Sequence, residues 1–495
     1  MDAVSATVLT SLSPFGVHVV FTSIQFVLFL PLVVFLYYMT PPARRWIVLL
    51  GASYLFYMAW KPAYLVLIGV STLVDYVAGR RMEASKAPAA RRFWLSASLV
   101  ANLGLLFSFK YLDFALQSLQ AALQTVGLAV TAPHFDLLLP VGISFYTFQT
   151  LSYTIDVYRG HRPAERHLGY FALFVSFFPQ LVAGPIERSS RLLPQLRSAY
   201  ALRADNITAG LRLIAWGFFK KLAIADRLAL LVDPIYSSPG SHGGLALTLA
   251  TVAFAFQIFC DFSAYSDIAV GSARMLGIRL MKNFDQPYLA TSFSDFWKRW
   301  HISLSQWFRD YVYIPLGGSR GNHTSRNLMI VFMVSGLWHG ANWTFVIWGA
   351  LHGLYLIAER KLSPLFARAP SLGFVGQVAK VGLVFALVCF AWIFFRASSV
   401  TQAWTIIAGL TSGWGLETST LTDGSLAYFG LRPYDLFVLA AGVVVAEVVH
   451  WLSRQHPDWW RSRSEMTHWI AYQGLGLATL LLGVTGDRSF IYFQF

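Results

Sequence analysis

Long apolar runs alternate along this chain with short polar or basic linkers. A helix needs about 17–25 predominantly apolar residues to cross a bilayer. On that rule the pattern predicts membrane helices near 20–38, 46–60, 63–79, 93–109, 136–155, 207–231, 245–260, 342–359, 378–396, 433–452 and 467–484. Only Lys61-Pro62 separates the second and third, which predicts a tight hairpin. Two further apolar segments, 168–185 and 327–338, are short or broken. They predict re-entrant or half-membrane helices, which persist only where protein or a water-filled cavity covers their backbone. The expected fold is an all-α polytopic membrane protein, one integrated domain over residues 1–495 without internal repeats.

Composition supports the same solvent. The chain is 56% hydrophobic and only 13% charged, against roughly 25% in soluble domains. Seventeen Trp and 22 Tyr suit aromatic belts at two interfaces. Net charge is +14, and its distribution argues against nucleic acid as the partner. Arg80, Arg81, Lys86, Arg91 and Arg92 crowd one linker, Arg188, Arg191 and Arg197 a second, and Arg454, Arg461 and Arg463 a third. Basic residues kept on cytoplasmic loops give that pattern. It places the N-terminus and the Lys61 turn outside, the 411–432 loop (Glu417, Asp423, Arg432) outside, and the basic 275–326 segment at the cytoplasmic face. No cleavable signal is evident, because the N-terminus lacks a charged start. Cys260 and Cys389 lie inside apolar runs without a spacing partner and read as small buried apolar residues.

Candidate chemistry centres on His339, in Val334-Ser-Gly-Leu-Trp-His-Gly-Ala-Asn-Trp343, between two apolar runs. An ionisable ring at membrane depth is costly and marks a functional site by default. A core histidine satisfied by a backbone carbonyl gives the same pattern. Upstream, Ser294 or Asp295 is positioned to cap a helix running through Phe308, with Phe296, Trp300, Ser303 and Trp307 on one face. That pattern suits an interfacial anchor. Lys298, Arg299 and Arg309, off the apolar stripe near His301, add groups able to hold the phosphates of a donor. Asp226, Asp261 and Asp267 read as structural ties to Lys or Arg. The chain holds no Walker-type phosphate loop, no Gly-x-Ser-x-Gly elbow and no His-Glu-x-x-His metal motif.

The chain resembles the membrane-bound O-acyltransferases, and among them the branch of alginate O-acetylation membrane proteins. The resemblance rests on Gly142-Ile-Ser-Phe-Tyr-Thr-Phe-Gln-Thr-Leu-Ser-Tyr-Thr-Ile-Asp-Val-Tyr158, Phe177-Phe-Pro-Gln-Leu-Val-Ala-Gly-Pro-Ile186 and Cys260-Asp-Phe-Ser-Ala-Tyr-Ser-Asp-Ile-Ala269. It rests also on the 285–318 stretch, on Gly336-Leu-Trp-His-Gly340 and on the ending Phe490-Ile-Tyr-Phe-Gln-Phe495, with the core motifs between residues 140 and 360. Ile314-Pro-Leu-Gly-Gly318 favours the polysaccharide branch over the related D-alanyl transferases of teichoic acids.

The resemblance implies a ring of about 10–12 tilted helices around a central tunnel. It implies an acyltransferase with catalytic His339 and His301, no metal and no bound cofactor, and acetyl-CoA or an acyl carrier as cytoplasmic donor. It implies a multi-pass protein of the bacterial inner membrane working with a periplasmic SGNH-type partner. Trp300, Trp338 and Asn342 then join Lys298, Arg299 and Arg309 as substrate or tunnel candidates. Asn342 and the N–H groups near Gly340 are candidate oxyanion donors. A covalent acetyl-His339 variant stays open. The competing class is a transporter or export channel for a polysaccharide or acyl group, which also uses broken helices and mid-membrane polar residues.

Overall fold

A computed structural model describes residues 21–135, 137–366, 373–414, 433–456, 460, 462–484, 488, 490 and 491. The 415–432 part of the loop expected outside, Arg461 and residues 492–495 of the terminal motif lie outside the described residues. Every regular element among the described residues is helical. Among the described residues, five helices are long and apolar enough to cross a membrane: Pro62–Ala84, Pro88–Thr125, Gly244–Met275, Gly373–Arg396 and Phe437–Gln455. They coincide with five of the predicted spans. Ile24–Met39 and Arg45–Met58 are apolar but shorter. The predicted 168–185 segment is indeed broken, into Leu168–Ser176 and Phe178–Leu181 around a non-helical Phe177.

The chain folds as two compact units. The first holds residues 1–214 with 268–281. Its centre is the helix Ile143–Tyr158, buried at 13 positions. A helix surrounded this completely lacks a polar face, as its mixed Phe, Tyr, Thr and Ser sequence shows. Asp75 is fully buried there and accepts hydrogen bonds from Asn102 Nδ2 at 3.0 Å and Thr154 Oγ1 at 3.2 Å.

The second unit holds residues 215–267 and 282–495. A π-helical turn, Phe219–Ala225, presents Lys220 and Lys221 inward. Lys221 Nζ meets Asp261 at 2.6 Å and Asp226 at 2.8 Å, and Lys220 Nζ meets Asp267 at 2.8 Å. The three aspartates are therefore ion-paired ties, the role read from sequence. Asp261 Oδ2 also accepts the Ile491 N–H at 2.8 Å, which fixes the described end of the chain. Cys260 and Cys389 are buried and free.

Five helices of this unit carry the site: α1 (Phe293–Arg299), α2 (Ile302–Phe308), α3 (Thr324–His339), α4 (Trp343–Phe366) and α5 (Gly373–Arg396). α3 and α4 form a close hairpin. A Cβ on Gly336 would stand 2.2 Å from the Phe345 carbonyl oxygen, and one on Gly349 2.2 Å from that of Phe332. Only glycine permits this backbone approach, the small-residue packing typical of membrane helices.

Candidate active site

The stretch expected to form one helix to Phe308 is two. Ser292, not Ser294 or Asp295, caps α1, its Oγ accepting the Asp295 N–H at 3.0 Å. α1 stops at Arg299, and His301 then takes a left-handed backbone, φ 42° and ψ 57°. Among described residues only Gln286 shares positive φ without being glycine. Such a conformation costs ~1–3 kcal/mol and persists only where the surroundings impose it. Here they do. The Ile302 N–H donates to the Asn283 carbonyl and the Asp285 N–H to the Arg299 carbonyl, both at 2.9 Å. Asn283 Oδ1 accepts the Ser303 hydroxyl at 2.7 Å and the Ser303 N–H at 3.3 Å, while its Nδ2 donates to Ser266 Oγ at 3.3 Å. The break abolishes the single amphipathic face. Phe296, Trp300, Ser303 and Trp307 are all buried, so this segment is not an interfacial anchor but part of the core.

His339 is the last residue of α3, and Gly340 turns extended after it. A side chain at 340 would collide with the Phe345 ring, at 2.1 Å from its nearest atom. Both histidines are buried, and their ring centroids stand 6.5 Å apart. Trp338 and Trp348 each lie 4.9 Å from the His339 ring and Phe395 5.3 Å. Phe262 lies 4.7 Å from the His301 ring and Trp338 6.1 Å. α1 and α2, at seven residues each, are too short to cross a membrane. Burial pushes the His301 ring down to about 3, so it stays neutral near pH 7 and offers one donor and one acceptor.

A cavity of about 340 Å³ opens beside the pair, within the usual size of small-molecule sites. Its floor includes Trp297, Leu304, Phe308, Phe332 and Leu356, and its rim carries Lys298 and Arg309. Ile302, next to His301, and Ser335, one turn before His339, also line it. The histidines themselves lie behind this lining, so an apolar slot with two cationic side chains stands next to the imidazole pair.

The sequence profile of the membrane-bound O-acyltransferase family matches residues 164–400, a span that includes both histidines. The chain is 42% identical over 435 residues to a probable alginate O-acetylase of Azotobacter vinelandii, covering 86% of this chain and 84% of that one. This chain belongs to the membrane-bound O-acyltransferase family. It is 38% identical over 498 residues to a probable alginate O-acetylase of Pseudomonas putida, covering 96% of this chain and 100% of that one. It is 35% identical over 398 residues to a peptidoglycan O-acetyltransferase of Helicobacter pylori, covering 74% and 73%.

The other residues singled out in this acyltransferase take distinct places. Trp338 is in the histidine box. Trp300 is wholly buried behind it, 5.0 Å from Trp392, which lies 5.7 Å from Trp348. Arg299 pairs with Asp295 at 2.8 Å and Arg309 with Asp310 at 2.8 Å, so Lys298 and Arg309 reach the cavity while Arg299 is a tie within α1. Asn342 is committed locally: Nδ2 donates to the Ser398 carbonyl at 2.9 Å and Oδ1 accepts the Thr344 N–H at 3.0 Å. The Gly340 N–H donates to the Gly336 carbonyl at 3.3 Å.

Two functional candidates escaped the sequence. Asn283 is one, with no motif of its own. His352 on α4 is the other, wholly buried, 5.0 Å from Trp348 and 5.0 Å from Trp297. The membrane-depth rule that singles out His339 applies equally to His352.

Proposed function

We propose that this acyltransferase moves acetyl from a cytoplasmic thioester, acetyl-CoA or an acetylated carrier, across the inner membrane for O-acetylation of an exopolysaccharide such as alginate. The observation that carries it is the His301–His339 pair beside a slot with a cationic mouth. The names of the relatives, alginate O-acetylases and a peptidoglycan O-acetyltransferase, support acetyl as the group and an extracytoplasmic polymer as its destination.

Acetyl transfer needs a base for the hydroxyl proton and alignment of the two substrates. At a 6.5 Å ring separation one oxygen atom can contact both imidazoles. His339 takes the proton as the hydroxyl oxygen attacks the thioester carbonyl. The C–S bond then breaks and the thiolate recovers the proton. His301, neutral and set in place by the bonds of Asn283 to Ile302 and Ser303, orients the hydroxyl or carbonyl. General-base help of this kind is worth about 10²–10⁴-fold. Lys298 and Arg309 attract the donor's phosphates. In this reading the slot faces the cytoplasm, the N-terminus faces the periplasm, and a periplasmic SGNH-type partner hands acetyl to the polymer.

Purified protein in lipid nanodiscs, given acetyl-CoA labelled in its acetyl group, tests the donor. Label should leave CoA, and Lys298→Ala with Arg309→Ala should raise KM about tenfold with a weaker dependence on salt. Loss of no label from CoA or from an acetylated carrier contradicts the reading.

A further inference from the structure

His352 stands one ring behind the cavity wall. Its side chain is wholly buried, and neither ring nitrogen has a hydrogen-bond partner among the described residues. Three neighbours share this condition. Trp297 Nε1, Trp348 Nε1 and Tyr355 Oη are buried and likewise unsatisfied among the described residues, with ring centroids 5.0 Å, 5.0 Å and 5.7 Å from His352. Phe296 stacks on the His352 ring at 6.0 Å. Charged and amide groups nearer the chain's ties are matched, Lys221 by two carboxylates and Asn283 by serines and backbone. Unsatisfied buried polar atoms cost stability, and apolar replacements of the same shape would relieve it. Four side chains in this condition meeting in one place are therefore poor folding material and good ligand-binding material.

Their position says which ligand. Trp297 is itself part of the cavity wall, with Phe332 and with Leu356, one turn after His352 on α4. On the other side Trp348 separates His352 from His339. We propose that His352, Trp297 and Tyr355 form a polar subsite that takes a secondary amide of the acyl donor's arm at the inner end of the cavity. This rests on the thioester-donor reading above. An amide offers one acceptor and one donor. The neutral imidazole matches both, and the indole N–H and the phenol supply further donors. An arm with an amide a few bonds from sulfur, as in coenzyme A and carrier-bound acyl groups, places that amide beside the subsite while its thioester reaches the histidine pair. Sites built to hydrogen-bond a substrate group discriminate strongly against analogues that lack it.

The test compares two small acetyl thioesters on the full-length protein in nanodiscs: S-acetyl-N-acetylcysteamine, which has one amide, and S-butyl thioacetate, which has none. Thiol release gives kcat/KM for each. The wild type should prefer the amide-bearing thioester about tenfold or more. His352→Phe should bring that preference to within about twofold, with a thermal midpoint equal to or above wild type. Tyr355→Phe, which removes one oxygen atom and keeps the ring, should lower the preference at least threefold. A full preference in both variants overturns the subsite and leaves the donor reading standing. A wild type that releases thiol from neither compound nor from acetyl-CoA overturns the donor reading and the subsite with it.

Discussion

His301 and His339 reach the same place by opposite backbone devices. His301 is held left-handed at the break between two short helices, φ 42°, while His339 closes a 16-residue helix whose next residue turns extended. Their rings meet at 6.5 Å and 64°. The pair is therefore set by backbone geometry and packing as much as by residue identity, and each device can be broken separately.

The left-handed backbone at His301 separates chemistry from strain. His301→Ala and His301→Gly should both lose activity, about a hundredfold, because both lack the ring. Glycine accepts positive φ and alanine does not, at a difference of roughly 1–2 kcal/mol. His301→Gly should therefore melt above His301→Ala in detergent. Equal activity of wild type and either variant contradicts an orienting role for the ring.

Asn283 fixes the backbone that follows His301. Its carbonyl and side chain take the Ile302 N–H, the Ser303 N–H and the Ser303 hydroxyl. Asn283→Ala should lower kcat by about 10–100-fold while donor KM stays within about threefold, since a misplacement near 1 Å costs on the order of 10² in rate. A rise in KM with kcat intact would assign Asn283 to donor binding instead.

The Gly336–Gly349 crossing permits no Cβ, each meeting a carbonyl oxygen at 2.2 Å. Gly336→Ala should separate α3 from α4, cost about 2 kcal/mol or more, and shift His339 with the helix end. Reduced accumulation in membranes and a lower thermal midpoint are the expected outcomes. A variant of wild-type stability and activity contradicts the close packing.

Glu187 gives the first unit a pH dependence. It is wholly buried between helices and accepts the Met281 N–H. Burial pushes its carboxyl up to about 7, against the Met281 N–H, Arg191 and Arg188. An acid with a folded pKa above its unfolded value, about 4.3, binds its proton more tightly when folded. Stability should therefore fall as pH rises from about 4.5 to about 7 and level off above that, by on the order of 3 kcal/mol at most. Glu187→Gln keeps the acceptor for Met281 and removes the titration, so its midpoint should gain on wild type between pH 5 and pH 8. A gap that stays constant with pH contradicts this assignment.

Much of this molecule was legible in its sequence, and the failures share a cause. Apolar runs located the long helices because a bilayer demands length and hydrophobicity, which are local properties. The ties of Lys220 and Lys221 to Asp267, Asp226 and Asp261 followed from the cost of unpaired buried charge. The break at His301 did not, because a left-handed histidine carries no compositional signal and Asn283 imposes it from 18 positions upstream. The helix expected to lie in the interface is a core element for the same reason. His352 was within reach of the rule that singled out His339, but the unsatisfied atoms around it are visible only in three dimensions.

The central claim is that His339 performs acyl transfer. The direct measurement is acetyl transfer by membranes holding wild-type protein or His339→Ala at matched abundance, each confirmed folded by its thermal midpoint. The wild type should transfer acetyl and His339→Ala should fall by about 10²–10⁴-fold, the range expected on loss of a general base. Acetyl transfer by His339→Ala at the wild-type rate would contradict the account.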